Sequence, residues 1–168
     1  MVVEFSVTDF FPCPIKKERN GKVINDLAIR EFWENNGYGE EVGCYVFASK
    51  AGLGMKPLYV GKTAKTFRQE IFTSEKIKKY QTAFAKQMKG TFGFFFVVLN
   101  SKRGPVNNSV IRKMEKFLIK TASNKNPDGL LNKVHNRKSV SWRIKGVVNA
   151  TRGQPSREAQ CFKSCMGL

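Results

Sequence analysis

Histidine is almost absent from this chain: His135 is the single copy among 168 residues. Acidic side chains are scarce too, with 13 Asp and Glu against 30 Lys and Arg. The four cysteines, Cys13, Cys44, Cys161 and Cys165, show no paired spacing of the kind that marks a disulfide framework, and one histidine cannot complete a zinc ligand set with them. A stapled secreted scaffold and a zinc module are therefore excluded, and reduced thiols in a cytoplasmic protein are the expectation. Cys161 and Cys165, one helical turn apart, read as part of a buried helix face. Long apolar runs are lacking: the longest stretch is Phe94 to Leu99, and Glu4 and Asp9 interrupt the N-terminus. The expectation is a soluble intracellular protein with neither signal peptide nor membrane span. A phosphate-binding loop is also missing, because Gly61-Lys62-Thr63 follows a strand but position 56, where that loop needs a glycine, is Lys56.

What the chain has in abundance is positive charge and aromatic side chains. Its net charge is +17, and 14 Phe, 4 Tyr and 2 Trp supply enough apolar surface for one sizeable core. The charge is uneven. Residues 1–50 hold 6 basic and 8 acidic side chains, residues 51–100 hold 9 and 2, and residues 101–168 hold 15 and 3. An even solubilising coat would not be distributed this way, so the last two thirds predict a basic surface for a polyanion.

Along the chain, residues 1–24 read as an extended arm and a loop, and Leu27, Ile29, Phe32 and Trp33 predict a helix near 26–36 that stops at Asn35-Asn36-Gly37. Cys44–Ala48 and Leu58–Gly61 have strand composition and flank a glycine-containing loop, which predicts a hairpin. Phe67, Ile71, Phe72, Ile77, Tyr80, Phe84 and Met88 recur at helical spacing across 66–72 and 75–88. Phe92 to Leu99 predicts a buried central strand, and Asn107, Asn108 or Ser109 can cap a helix carrying Val110, Ile111, Met114, Phe117, Leu118 and Ala122. A last strand within Val140–Val148 and a helix opened by Gln154-Pro155-Ser156 complete the reading. The division predicted is an N-terminal arm and helix (1–41), a core (42–133) and a basic C-terminal extension (134–168) packed on that core.

Gly43-Cys44-Tyr45 and Tyr59-Val60-Gly61 put one tyrosine on each strand of the hairpin. Together with Lys62-Thr63, an arginine early in the next helix (Arg68), Glu115 in a lysine-rich helix and Leu130-Leu131-Asn132 beyond it, their order resembles the GIY-YIG endonuclease family. That family includes homing endonucleases, some restriction enzymes and the first nuclease of bacterial excision repair. The resemblance covers about residues 42–133. It implies an α+β fold, with a small three-stranded, mainly antiparallel sheet flanked by helices, and metal-dependent hydrolysis of phosphodiester bonds in nucleic acid, DNA ahead of RNA.

The resemblance also implies roles. Tyr45 would orient or deprotonate the attacking water, an unusual task for a phenol unless a cation such as Lys62 lowers its pKa. Tyr59 would hydrogen-bond the phosphate or the water, Arg68 would neutralise the phosphoryl oxygens, Glu115 would hold one divalent ion, most simply magnesium, and Asn132 would brace the site. One departure stands out. The family arginine lies ten positions after the second tyrosine, which here is Gln69; Arg68 precedes that position, and a one-residue insertion would make it Glu70.

The nucleic-acid contacts predicted from the basic segments are Lys65, Lys76, Lys78, Lys79, Lys102, Arg103, Lys133, Arg137 and Lys138. His135, among polar neighbours, reads as a solvated loop residue. Two alternatives stay open: a scaffold of this type that binds nucleic acid without cutting it, and an adaptor for a protein partner with an acidic surface through the aromatic N-terminal arm; a homodimer stays open beside them.

Overall fold

The computed structural model describes residues 3–19, 21–86, 89–100, 105–132, 142–148 and 153–168. In chain order the elements are β1 (Val3–Val7), β2 (Phe11–Pro12), β3 (Lys16–Glu18), β4 (Gly21–Val23), α1 (Asp26–Asn36), β5 (Gly43–Ala51), β6 (Gly54–Thr63), α2 (Phe67–Glu70), α3 (Ser74–Lys86), β7 (Thr91–Leu99), α4 (Asn108–Lys125), β8 (Trp142–Ile144) and α5 (Arg157–Met166). Side-chain oxygens cap four of the helices: Asn25 accepts from the Ala28 amide, Thr66 from Gln69, Asn107 from Val110 and Ser156 from Ala159. Gly37 ends α1 in the left-handed conformation, the stop predicted from Asn35-Asn36-Gly37.

The fold is mixed α and β, a mostly antiparallel sheet flanked by helices. Its organising strand is β7, buried at every position but Thr91. Such a strand needs hydrogen-bond partners on both edges, because its amides and carbonyls see no water. β5 takes one edge along Gly43–Lys50, while β1 and β2 share the other. The sheet therefore runs β6-β5-β7-β1-β8, with β2 also on β7. The three strands predicted become six: the N-terminal arm supplies β1 and β2, and the C-terminal extension adds β8 parallel to β1.

Alternation along the strands separates two apolar layers. Cys44, Val46, Ala48, Phe95 and Val97 pack with Ile111, Met114 and Leu118 of α4 and Phe162, Cys165 and Met166 of α5. Tyr45, Phe47, Phe92, Phe94 and Phe96 face the other way, against Phe32 and Trp33 of α1, Phe67 of α2, and Tyr80, Ala83 and Phe84 of α3. Cys165 lies on the buried side of α5, and Cys161 is partly exposed.

β6 is an edge strand, and an uncovered edge invites pairing with another chain. The segment after α4 covers it with polar bonds. Asn126 Nδ2 donates to the Pro57 carbonyl (2.9 Å), the Leu131 amide donates to Leu58 (2.7 Å), and Asn132 bonds both backbone groups of Val60. Among the described residues no helix is long and apolar enough to cross a membrane.

Candidate active site

The antiparallel register sets Tyr45 opposite Gly61 and Phe47 opposite Tyr59, which puts both triplet tyrosines on the face covered by α3. Their ring centroids are 6.1 Å apart. The Tyr45 ring lies directly over Gly61, where a side-chain carbon would overlap it. The glycine of the second triplet is thus the floor on which the tyrosine of the first one rests. Tyr45 is completely buried, and its hydroxyl meets no partner in ordinary hydrogen-bond geometry. Burial first, then the neighbouring Tyr80 phenol, pushes its pKa well above the usual tyrosine range, and the positive charge of Lys76 offsets this only in part. A lowered phenol was expected; the structure gives a raised one, because the ring is sealed on the aromatic side of the sheet.

Lys62 does not stand beside Tyr45. It pairs in register with Cys44, so it projects to the opposite face, toward α4. The cation on the tyrosine side is Lys76, which donates to the Tyr59 hydroxyl (3.0 Å) and pairs with Glu70 (3.0 Å). Lys76 and Lys79 each sit 5.3 Å from the centre of the Tyr59 ring, a cation–π distance. Burial works against the charge on Lys76, but the phenols of Tyr45 and Tyr59 and the Glu70 carboxylate hold its pKa above the usual lysine range, so it stays positive. Lys76 was predicted as a surface contact for nucleic acid; it is instead half-buried and bonded within the site. The signal was present in the spacing, since Tyr80, Ala83 and Phe84, the buried residues of α3, lie four, seven and eight positions after it.

Glu115, in α4, approaches the same edge from the other face of the sheet. It is half-buried, and burial raises its carboxyl above the usual range against the pull of Lys62, Lys76 and Arg112. Glu70 adds to the rise. No ion pair within 4 Å joins Glu115 to any of these cations among the described residues. It is a carboxylate on which three cations act with no ion pair among the described residues.

Arg68 is not part of this cluster. Its Nε pairs with Glu40 at 2.8 Å, and the guanidinium lies over Gly39, in the loop before β5. The residue two positions on, Glu70, turns inward to Lys76 instead. One helical residue is about 100° of rotation, so the displaced arginine points elsewhere. Asn132 holds the edge of β6, with Oδ1 accepting from the Val60 amide (3.1 Å) and Nδ2 donating to the Val60 carbonyl (2.6 Å). Lys65 and Lys78 are exposed, and Lys79 pairs with Glu75 at 2.8 Å. Lys102, Arg103, Lys133, His135, Arg137 and Lys138 lie outside the described residues.

Tyr80, a third phenol in the cluster, was read from the sequence only as a helix-face apolar residue. Its hydroxyl donates to the Ile71 carbonyl (2.9 Å), which ties α3 to the end of α2. Among the described residues no group of three or more His, Cys, Asp or Glu side chains converges. The donor set is Glu115 alone, since Glu70 is taken by Lys76. Magnesium keeps several waters and binds through one or two carboxylates plus phosphate oxygens. A single carboxylate beside cations that attract phosphate fits an ion completed by its substrate, not a preformed cage. No family model, curated protein or solved structure matches the chain.

Proposed function

We propose that this protein is a magnesium-dependent endonuclease of GIY-YIG type that hydrolyses phosphodiester bonds in nucleic acid, with DNA the first candidate. The observation that carries the proposal is Glu115: a half-buried carboxylate under the electrostatic pull of Lys62, Lys76 and Arg112, with no ion pair to them among the described residues, on the helix that packs against the strand holding Tyr59. An unpaired charge so placed costs stability, and a ligand that joins it to an anion offsets the cost.

In this reading Lys62 and Lys76 draw the phosphate to the edge of β6 and neutralise charge that builds on its oxygens. Tyr59 accepts its hydrogen bond from Lys76 and so keeps its own proton free to donate to a phosphoryl oxygen. Lys76 takes over the electrostatic task that the family assigns to the arginine. Tyr45 stays protonated and acts as a rigid support for Gly61 and Tyr59, not as a base. Glu115 is the residue that would hold magnesium, which supplies Lewis-acid charge at the phosphate when bound.

A second reading, binding without cleavage, is favoured by two particulars: Arg68 is tied to Glu40, and the Tyr45 hydroxyl is sealed. Incubation with plasmid, branched DNA and RNA, with and without magnesium, separates the two. The nuclease reading expects magnesium-dependent nicks that disappear in Tyr59→Phe and Glu115→Gln proteins that still bind. Tight, salt-sensitive binding with no product on any substrate decides for the second.

A further inference from the structure

A cleft of about 840 Å³ lies at the hairpin end of the sheet, where the last residues of α3, α4 and α5 converge on the ends of β5 and β6. Among the described residues four lysines line it, Lys56, Lys86, Lys89 and Lys125, with the hydroxyls of Ser49 and Ser164 and no acidic side chain. All four lysines are exposed, and among the described residues none of them is in an ion pair or over an aromatic ring. Lys76 and Lys79, by contrast, have carboxylate partners.

Two of the four lysines stand beside close backbone approaches. Lys89 precedes Gly90, which, with φ of 107°, lies so close to the end of β5 that a side-chain carbon there would meet the Lys50 carbonyl oxygen at 2.6 Å. The stem of Lys125 lies on Gly167, the residue that caps α5, with its Cδ only 3.1 Å from where a side chain would begin. Lysines near helix C-termini commonly offset the dipole, but three termini carry roughly half a negative charge each, less than four ammonium groups supply. The cleft keeps a net positive charge with no partner among the described residues, and its volume is far too large for one phosphate ion.

We infer that this cleft is a second, non-catalytic binding site for the phosphodiester backbone of the same nucleic acid, which holds the strand in register while it is cut at the Tyr59–Glu115 edge. The inference rests on the proposed nuclease reading and deepens it. Lys56 and Tyr59 stand on one edge strand, three residues apart, about 10 Å at roughly 3.3 Å per residue. A strand of duplex DNA advances 3.4 Å per nucleotide, so the two sites are about three nucleotides apart. The protein should protect about that length on one side of its cut.

The test measures equilibrium binding of a 30-nucleotide duplex in metal-free buffer, where cleavage does not intervene, as a function of salt. Three proteins are compared: the unaltered chain, one carrying K56A, K86A, K89A and K125A, and a charge-matched control carrying K16A, K17A, R19A and R30A on the β3–β4 hairpin and α1. All eight positions are exposed, so both variants should fold, which thermal melting checks. The log–log salt slope should fall by up to about 3.6 in the cleft variant, 0.9 for each phosphate no longer neutralised, and change by less than about 1 in the control. Equal slopes in the two variants overturn the cleft site while leaving the nuclease reading intact. Tripolyphosphate bound by the unaltered chain as tightly as the duplex makes the cleft a small-polyanion site and overturns the inference as well. No salt-dependent binding by the unaltered chain removes both readings.

Discussion

Replacing Gly61 with alanine tests the innermost packing of the site. Gly61 is outside the left-handed region, so alanine introduces no backbone strain and the effect is steric. The new methyl would overlap the Tyr45 phenol and lie 2.6 Å from Cε1, whereas carbon atoms rest at about 3.5–4.0 Å. Tyr45 cannot retreat. Its backbone is held in register between Gly61 of β6 and Phe96 of β7, and its ring is hemmed in by Tyr59 at 6.1 Å and Phe94 at 6.4 Å between centroids. Overpacking a close-packed core costs roughly 1–3 kcal/mol, and full burial puts this site at the upper end, about 2–3 kcal/mol. At about 2–4 °C per kcal/mol for a chain of this length, the melting temperature should drop by about 5–10 °C. Denaturant unfolding of Gly61→Ala, Tyr45→Ala and the double variant forms a double-mutant cycle. Removing the ring makes room for the methyl, so the double variant should be more stable than the summed losses by at least about 1 kcal/mol. A melting temperature within a degree of the parent, or a strictly additive cycle, would refute the tyrosine-on-glycine packing.

Four further outcomes are expected. Asn132→Ala removes two hydrogen bonds to Val60 at about 1 kcal/mol each, so stability should drop by about 2 kcal/mol, and the Val60 amide should exchange hydrogen faster by NMR. The folded protein holds the Glu115 proton more tightly than the unfolded chain does, a stabilising term present at acid pH and lost as pH rises through the raised value. Glu115→Gln should therefore melt above the parent at neutral pH, with the gap closing below the ordinary carboxylate range. Lys76→Met leaves Glu70 unpaired and strips Tyr59 of its donor, so cleavage should slow by about a hundredfold with the fold retained by circular dichroism. Burial raises the thiols of Cys13, Cys44 and Cys165, the last to about 12, so a thiol reagent should modify Cys161 first and the other three only on denaturation.

Much of the framework is legible in the sequence because it is written in local signals. Asn25 and Gly37 bound α1, the hairpin of β5 and β6 follows from two apolar runs about Gly52 and Gly54, and the uninterrupted Phe92–Leu99 marks a strand buried on both sides. The pairings of the remaining strands are not legible, because pairing is a long-range property. Val3–Val7 does not announce that it will lie against Val97–Leu99, nor Trp142–Ile144 that it will run parallel to β1. Within the site, strand parity already separates Lys62 from Tyr45, and helix periodicity already puts Lys76 on the Tyr80 face. What no pattern reveals is the depth of burial. The Tyr45 hydroxyl is sealed by packing from α3 and the β7 aromatics, and that reverses the direction in which its pKa moves. Arg68 and Glu70 exchange places for a similar reason: the short turn of α2 fixes which of them faces the sheet, and Glu40 happens to stand where Arg68 emerges.

The most direct measurement is the single-turnover rate of magnesium-dependent phosphodiester cleavage by the full chain and by its Glu115→Gln form, at protein concentrations that saturate the same substrate. The account predicts cleavage by the parent, at least about a hundredfold slower in Glu115→Gln, at unchanged binding affinity. Cleavage at equal rates by both proteins, or none by the parent on any nucleic acid it binds, would contradict it.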